Sequence, residues 1–287
     1  MSYKECPPAK ELLDYIDAYW VRKTAPGSGI AGRRVYADGC ADIIVNTGSS
    51  TAWFYPMARA GGTIPLHPGH MYLGGTMTEY GVVTASGNCV LTGIRFRPGG
   101  FFALYRQPMA PAVDSLLEFT DHSLKPLMGN GPAPVHAGSV KDLASRVDAY
   151  FLAGRNAPGE LSTHAEKTHY DFSAIYKVIC LAKGQISVEA LSKECHMSRR
   201  TMERVFKENT GIPPKEFIRI ARFQEVLRRL RQTDTEVAPR ESLLRIAFEL
   251  GYHDHAHLTN EFKKYAGILP SELSRFYKTG IASGEYF

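Results

Sequence analysis

The sequence predicts an α+β protein in which an N-terminal β-rich, barrel-like domain with flanking helices precedes an all-α domain. That second domain is expected to hold two helix-turn-helix units joined by a long helix. Three observations carry the prediction. Between Ile30 and Arg97 the apolar residues come in short runs broken by turn signals, the pattern of many short strands. After Asp171 they recur every three to four residues, the period of a helix. The helical stretch also repeats itself at an offset of 56 residues.

A chain of 287 residues fits about two domains. With 44% apolar and 22% charged residues, a disordered or fibrous chain is excluded. No apolar run approaches the roughly 18 residues of a membrane span. Residues Met1 to Pro8 lack the apolar stretch of a secretory signal. Cys6, Cys40, Cys89, Cys180 and Cys195 are scattered, with no C-x-x-C spacing. Neither a disulfide framework nor a cysteine-only zinc site is expected, and a cytoplasmic location of bacterial type is. Residues 1–170 hold 15 Lys and Arg against 14 Asp and Glu, whereas residues 171–280 hold 19 against 14. The excess positive charge thus sits in the helical part, as in a polyanion-binding module.

In chain order, Leu12, Leu13, Ile16 and Trp20 suggest a helical stripe that lids the barrel. Strands are expected at Ala41–Val45, Trp53–Tyr55, Gly81–Val83 and Val90–Ile94. Turns are expected at Asp38-Gly39, Gly61-Gly62, Pro68-Gly69, Gly74-Gly75 and Pro98-Gly99, the first as a tight hairpin. Val140, Leu143, Val147, Tyr150 and Phe151 form a helical stripe in Ser139–Leu152, which suits a homodimer seam or packing on the chain's own barrel. Segment 154–170, with Leu161 as its one aliphatic residue larger than alanine, reads as a linker. The expected domains are therefore 1–153 and 171–280.

The helical part opens with Phe172, Ile175, Ile179 and Leu181 in one helix, stopped at Gly184. A short helix with Val188 and Leu191 leads to a third, capped by Ser198 and burying Met202, Val205 and Phe206. Phe217, Ile220, Phe223, Val226, Leu227 and Leu230 mark a long helix from Lys215 to about Gln232. After a polar loop, Thr233–Pro239, come a helix with Leu243, Leu244, Ile246 and Ala247 and another capped by Asp254, with Leu258 and Phe262 inside. The 56-residue shift lays Ser198 on Asp254, Met202 on Leu258, Phe206-Lys207 on Phe262-Lys263, Gly211-Ile212 on Gly267-Ile268 and Pro214 on Pro270. Each copy is a helix-turn-helix unit, whose second helix is built to enter a major groove.

The run Ile246-Ala247 through Gly251-Tyr252, Asp254, Leu258, Phe262-Lys263 and Gly267 to Pro270 resembles the signature of the AraC/XylS transcriptional regulators, and Leu191 through Gly211 resembles that family's first helix-turn-helix. The resemblance covers about residues 173–278. Four positions depart from it: Ser192 replaces an alanine, His196 a turn glycine, Val226 an alanine and Asn260 an arginine. It implies a regulator that binds double-stranded DNA and contacts RNA polymerase; the strand-rich domain ahead of the linker is expected to sense a small-molecule effector or to mediate pairing.

With the apolar stripes turned inward, the first recognition helix presents Arg199, Arg200, Glu203, Arg204 and Lys207, and the second His255, Ala256, Thr259, Asn260 and Lys263. Arginine matches the two acceptors of guanine, glutamate the donor of cytosine, asparagine the edge of adenine, and Ala256 and Thr259 a thymine methyl. The resemblance implies base contacts by Arg200, Glu203, Arg204, His255, Ala256, Thr259 and Asn260, and phosphate contacts by Ser198, Arg199, Lys207 and Lys263.

Two N-terminal stretches, Arg33 to Thr47 with Asp38-Gly39 and Asp42, and Leu91 to Phe101 with Arg95-Phe-Arg97-Pro-Gly-Gly100, resemble an uncharacterised domain found on some of these regulators. That resemblance implies a cupin-like barrel and supplies no ligand. The N–H groups of Gly99 and Gly100 in the turn Pro98-Gly99-Gly100 suit an anion, which makes Arg95 and Arg97 the effector-binding candidates; the other reading is a plain structural turn with solvated arginines. No metal or cofactor is expected. His67 and His70 straddle a Pro-Gly turn near Glu79 and lack the alternation of a strand site, and His253, His255 and His257 diverge around a helix cap. Cys6, Cys40 and Cys89 lack the paired spacing of a methyl-transferring zinc module, and no nucleophile elbow is present, so no enzyme is expected. The competing readings are a metal-dependent cupin-type enzyme carrying a DNA-binding tail and a ligand-free dimerising scaffold.

Overall fold

The computed structural model describes residues 2–24, 31–58, 62–130, 139–156, 170–232 and 239–279. Among the described residues the N-terminal part holds ten strands: β1 (Ser2–Cys6), β2 (Ile16–Lys23), β3 (Ala31–Val35), β4 (Ala41–Asn46), β5 (Ala52–Pro56), β6 (Ile64–Leu66), β7 (Met71–Gly74), β8 (Gly81–Ala85), β9 (Val90–Phe96) and β10 (Leu116–Glu118). They pair antiparallel into a six-stranded sheet, β1-β2-β9-β4-β7-β10, and a four-stranded sheet, β3-β8-β5-β6. The two sheets do not close into the expected barrel; each keeps its own edges.

The larger sheet is a middle layer. Trp20, Ile44, Tyr72 and Leu91 pack on Ala52, Phe54 and Leu66 of the smaller sheet. Ile43, Val45, Ile94 and Phe96 face the other way, against α1 (Gly100–Tyr105) and α2 (Val140–Asn156). In β4 the successive residues Ile43, Ile44 and Val45 thus serve opposite layers, as side chains alternating along a strand must. Leu143, Ala144, Val147 and Phe151 of α2 are buried on this sheet. Tyr19 donates to Asp148 (2.6 Å), while Tyr105 and Tyr150 both donate to Asp121 (3.1 and 2.7 Å). The α2 stripe is therefore used by its own domain.

Two local expectations are corrected. The stripe at Leu12, Leu13, Ile16 and Trp20 is not a helix: one 3-10 turn covers Lys10–Leu12, Leu13 lies in the turn that follows, and Ile16 and Trp20 belong to β2. Ile16, Ala18 and Trp20 also satisfy a period of two, and the Tyr19-Trp20-Val21 run favours a strand. Asp38-Gly39 is not a hairpin turn, because β3 and β4 lie in different sheets and the chain crosses between them there.

The C-terminal part is helical: α3 (Phe172–Leu181), α4 (Val188–Glu194), α5 (Arg199–Asn209), α6 (Pro214–Gln232), α7 (Pro239–Glu249), α8 (His255–Ala266) and α9 (Pro270–Thr279). Pairs α4–α5 and α7–α8 are the two helix-turn-helix units. The last helix, α9, was not foreseen; Pro270, aligned with the Pro214 that starts α6, opens it, as proline suits a first helical turn. Phe217 on α6 meets Phe206 of the first unit (5.5 Å between ring centres), and Phe223 meets Phe262 and Tyr265 of the second (both 5.2 Å). One helix thus carries both cores. Leu181 (83% exposed) and Leu244 (48%) leave the apolar stripes in which the periodicity put them. The proposed linker lies mostly, and the polar loop before Pro239 wholly, outside the described residues.

Candidate nucleic-acid interface

Both recognition helices begin at the foreseen caps. The Ser198 hydroxyl accepts from the Thr201 N–H (3.1 Å) and the Asp254 carboxylate from the His257 N–H (2.7 Å), satisfying donors that a helix start leaves open. That bond, joined by one from His253, holds the Asp254 carboxyl below the usual carboxylate range. His196 occupies the first unit's turn with φ +52°, in the left-handed region that histidine visits more readily than most residues. This explains how it stands where a glycine is usual.

With Met202, Val205 and Phe206 buried, Arg199, Arg200, Glu203, Arg204 and Lys207 are exposed on one face of α5. On α8, Leu258 and Phe262 are buried, Ala256, Asn260 and Lys263 are exposed, and His255 and Thr259 are half-buried, 3.4 Å apart through Nδ1 and Oγ1. Arg204 rests on Glu208 (3.3 Å) and Arg199 on Glu189 (3.8 Å), both at the surface. The structure gathers every foreseen residue of the two helices onto two outward faces of one scaffold.

Two carboxylates that periodicity could not flag join α8 to α6. Glu261, almost fully buried, accepts from the Tyr252 hydroxyl (2.9 Å) and pairs with Arg219 Nε (3.2 Å). Glu216 accepts from Lys264 Nζ (2.6 Å) and the Tyr265 hydroxyl (3.0 Å). Burial, followed by the neighbouring Glu261, pushes the Tyr252 phenol well above its ordinary value. Both carboxylates sit at helical positions where their charge resembles that of any solvated face, so only the fold reveals them.

The N-terminal domain seats itself on the far ends of both recognition helices. In the last turn of α5, Glu208 C=O accepts from the Met109 N–H (3.0 Å). In the last turn of α8, Tyr265 C=O accepts from the Ala37 N–H (3.2 Å) and Lys264 C=O from the Tyr80 N–H (3.4 Å). Carbonyls that a helix end leaves open are thereby capped from another domain. Gln224 of α6 donates to Ala37 C=O (2.6 Å). Gly211 and Gly267, at φ +80° and +70°, leave no room for a side chain, being pressed by Val113 and the Met109 carbonyl and by the Tyr80 ring respectively. Glycine is therefore needed at both ends for conformation and for close approach.

The loops that cap the helices also wall a cavity of about 90 Å³ between the two sheets. Asp38 and Cys40 contribute from the first loop, Gly75 and Met77 from the second, and Ser115 from the third. Asp114 ties the last two together by accepting from the Thr78 N–H and hydroxyl (2.6 and 2.7 Å). Arg95 lies in this cavity 3.2 Å from Asp38 and 3.5 Å from Asp42, which also accepts from Trp20 Nε1 (2.9 Å). Burial opposes the Arg95 charge, yet Asp42 and Asp38 together hold it protonated well above the ordinary arginine value. Burial and the nearby Arg33 bring Arg22, on the same wall, down to about 9. Arg97 pairs with Asp17 instead (3.2 Å). The Pro98-Gly99-Gly100 turn opens α1, with its Gly100 N–H on Arg97 C=O (2.7 Å), so the two arginines do not converge on an anion cradle there. His67 and His70 meet edge to face at 5.7 Å, and His70 meets Glu118 (2.6 Å). Among the described residues no group of three metal-binding side chains comes together.

Two capped, outward-facing helices on one long helix define a double helix-turn-helix module of the DNA-binding class. Residues 191–275 match the model of a helix-turn-helix domain family, and residues 4–118 that of a domain of unknown function. The C-terminal region is an AraC-type helix-turn-helix domain. An uncharacterised helix-turn-helix transcriptional regulator of Haemophilus influenzae is 29% identical over 103 residues, 36% of this chain and 33% of that protein. The transcriptional activator RhaS of Escherichia fergusonii is 30% identical over 88 residues, 31% of this chain and 30% of its own. The transcriptional activator AarP of Providencia stuartii is 26% identical over 124 residues, 42% of this chain and 87% of its own. The chain thus spans about a third of the length of the first two relatives. Among solved structures, ToxT of Vibrio cholerae is similar over 96% of this chain and 98% of its own, at 12% identity and a TM-score of 0.48. The DNA-binding domain of AdpA, solved with a target DNA, covers 39% of this chain and 96% of its own, at 23% identity and a TM-score of 0.34.

Proposed function

We propose that the protein is a sequence-specific, DNA-binding transcription regulator with a β-rich domain at 1–153, a linker at 154–170 and a double helix-turn-helix domain at 171–280. The observation that carries this reading is the pair of exposed faces on α5 and α8, held on one rigid helix. Arg200, Glu203 and Arg204 read bases in one major groove, and His255, Ala256, Thr259 and Asn260 in the next, about 34 Å along. Ser198, Arg199, Lys207 and Lys263 hold phosphates. A single chain would then read an asymmetric site and work from the cytoplasm; RNA polymerase and a second copy of the chain complete the expected partners.

In this reading the N-terminal domain modulates DNA binding through a small-molecule effector, and it is not an enzyme. The inter-sheet cavity supports the effector, because three loops that wall it also cap the recognition helices. A ligand that favours one arrangement of those loops shifts the helices by its differential affinity for the two arrangements. Of the two arginine candidates only Arg95 faces this cavity. The test of the DNA half is selection from random duplex DNA at two salt concentrations. A motif of two elements about one helical turn apart is expected; enrichment of nothing, with binding that collapses as salt rises, would refute sequence-specific reading. For the effector half, calorimetry against a metabolite library is expected to find a binder that Arg95→Ala abolishes.

A further inference from the structure

Between the two helix-turn-helix units lies an open cleft of about 650 Å³. Arg199 and Glu203 from the outward face of α5 form one wall, and His257 near the start of α8 stands across from them. The floor is α6 itself, with Lys215, Arg219 and Arg222. The cleft therefore opens on the same side as the two base-reading faces and separates them.

Its floor arginines are held in place. Arg222 donates through Nε to Gly184 C=O (3.0 Å) and lies over the Tyr252 ring at 5.4 Å. Arg219 pairs through Nε with Glu261 (3.2 Å) and through an Nη with Glu216 (3.7 Å). A guanidinium has five N–H donors in a rigid fork, so these bonds orient the group and leave further donors for a ligand. Lys215 is exposed one turn earlier. Charges three and four apart on a helix are neighbours, so the three cations form one row along the floor. Glu189 and Glu203 supply negative charge toward the α5 rim, where Arg199 reaches Glu189.

If α5 and α8 occupy successive major grooves on one face of a duplex, the strand between those grooves must pass over whatever joins the helices. We propose that this cleft is a phosphate-backbone site: Lys215, Arg219 and Arg222 hold the DNA strand that crosses between the two base-read elements. The proposal rests on the DNA-reading function and adds residues of the joining helix to it. The contact is sequence-independent. Its consequence is to fix the spacing of the two elements, because the floor row meets phosphates only when both helices are seated.

The test uses the full-length protein and the selected two-element duplex. Methylphosphonates, which are uncharged, replace the phosphates of the spacer alone, and affinity is measured over a range of salt. Weaker binding is expected, with the slope of log affinity against log salt falling by about 0.9 for each phosphate contact removed. Lys215→Gln, an exposed change that spares the fold, is expected to lower the slope by about one contact on the natural duplex and to shrink the further effect of the neutral spacer. Arg222→Gln serves as a second variant, checked by thermal unfolding because its side chain also holds Gly184. An unchanged affinity and slope with the neutral spacer would overturn the cleft while leaving the two-element reading intact. Absence of any two-element motif would overturn both.

Discussion

Replacing Arg204 with alanine separates base reading from mere charge on the α5 face. The Arg204 side chain is 47% exposed, and its described partner is Glu208, one turn on at 3.3 Å. A surface pair of this kind contributes roughly 0.3–0.5 kcal/mol. Alanine, the best helix former, offsets part of that, so folding stability should move by less than about 0.5 kcal/mol. A bidentate arginine on guanine contributes far more to recognition, about 1–3 kcal/mol. The selected site should therefore be bound about 5- to 150-fold more weakly. The assay is competition binding with the selected duplex and with duplexes changed at each position in turn, alongside thermal unfolding of the variant. Preference should relax at one base pair, with an unchanged melting temperature. An equal loss on every sequence would make Arg204 a phosphate contact, and no loss at all would remove α5 from the groove.

Three other expectations follow from the geometry. Gln224→Ala removes the 2.6 Å bond to Ala37 C=O and leaves that carbonyl short of a donor, at a cost of about 1–3 kcal/mol. Hydrogen exchange should then quicken in the last turns of α5 and α8, and exchange confined to the β-rich domain would speak against a shared seat. Phe223→Ala opens a cavity where Tyr36, Phe262 and Tyr265 meet, and should lower stability by about 3–5 kcal/mol. Denaturant unfolding of both units together is the expected result, and a change confined to the second unit would deny that α6 carries a common core. Because the Asp254 carboxyl is held below its ordinary range in the folded protein, its capping contribution is present above that range and lost as pH falls through the lowered value. The His257 amide resonance should report this loss on acidification, and Asp254→Asn, which still accepts the bond, should abolish the titration.

Much of the helical domain was legible because its information is local. The cap at Ser198, the stripe Met202-Val205-Phe206 and the glycine at 211 each act within a turn or two of chain, and the 56-residue repeat showed the same grammar twice. The misreadings share a different cause. The stretch from Leu12 to Trp20 carries apolar residues that satisfy both a helical and a strand period, and the partner strands β1 and β9 decide between them. Leu181 and Leu244 keep the period yet find no core beneath them. Asp38-Gly39 has the composition of a hairpin turn, but its glycine serves the approach of Phe217 from the other domain.

The sequence by itself determined the helix-turn-helix pair, its caps, and the residues that face outward from it, since helical periodicity and capping are short-range properties of the chain. It also determined that the first half is built of short strands. Only the tertiary structure decided that those strands form two open sheets with α2 packed on the larger, because strand pairing joins residues tens of positions apart. It alone decided that Glu216 and Glu261 are structural, and that Ala37, Tyr80 and Met109 cap the recognition helices. The three capping bonds run through main-chain N–H and C=O groups, which every residue type but proline carries, and so leave little mark on the sequence.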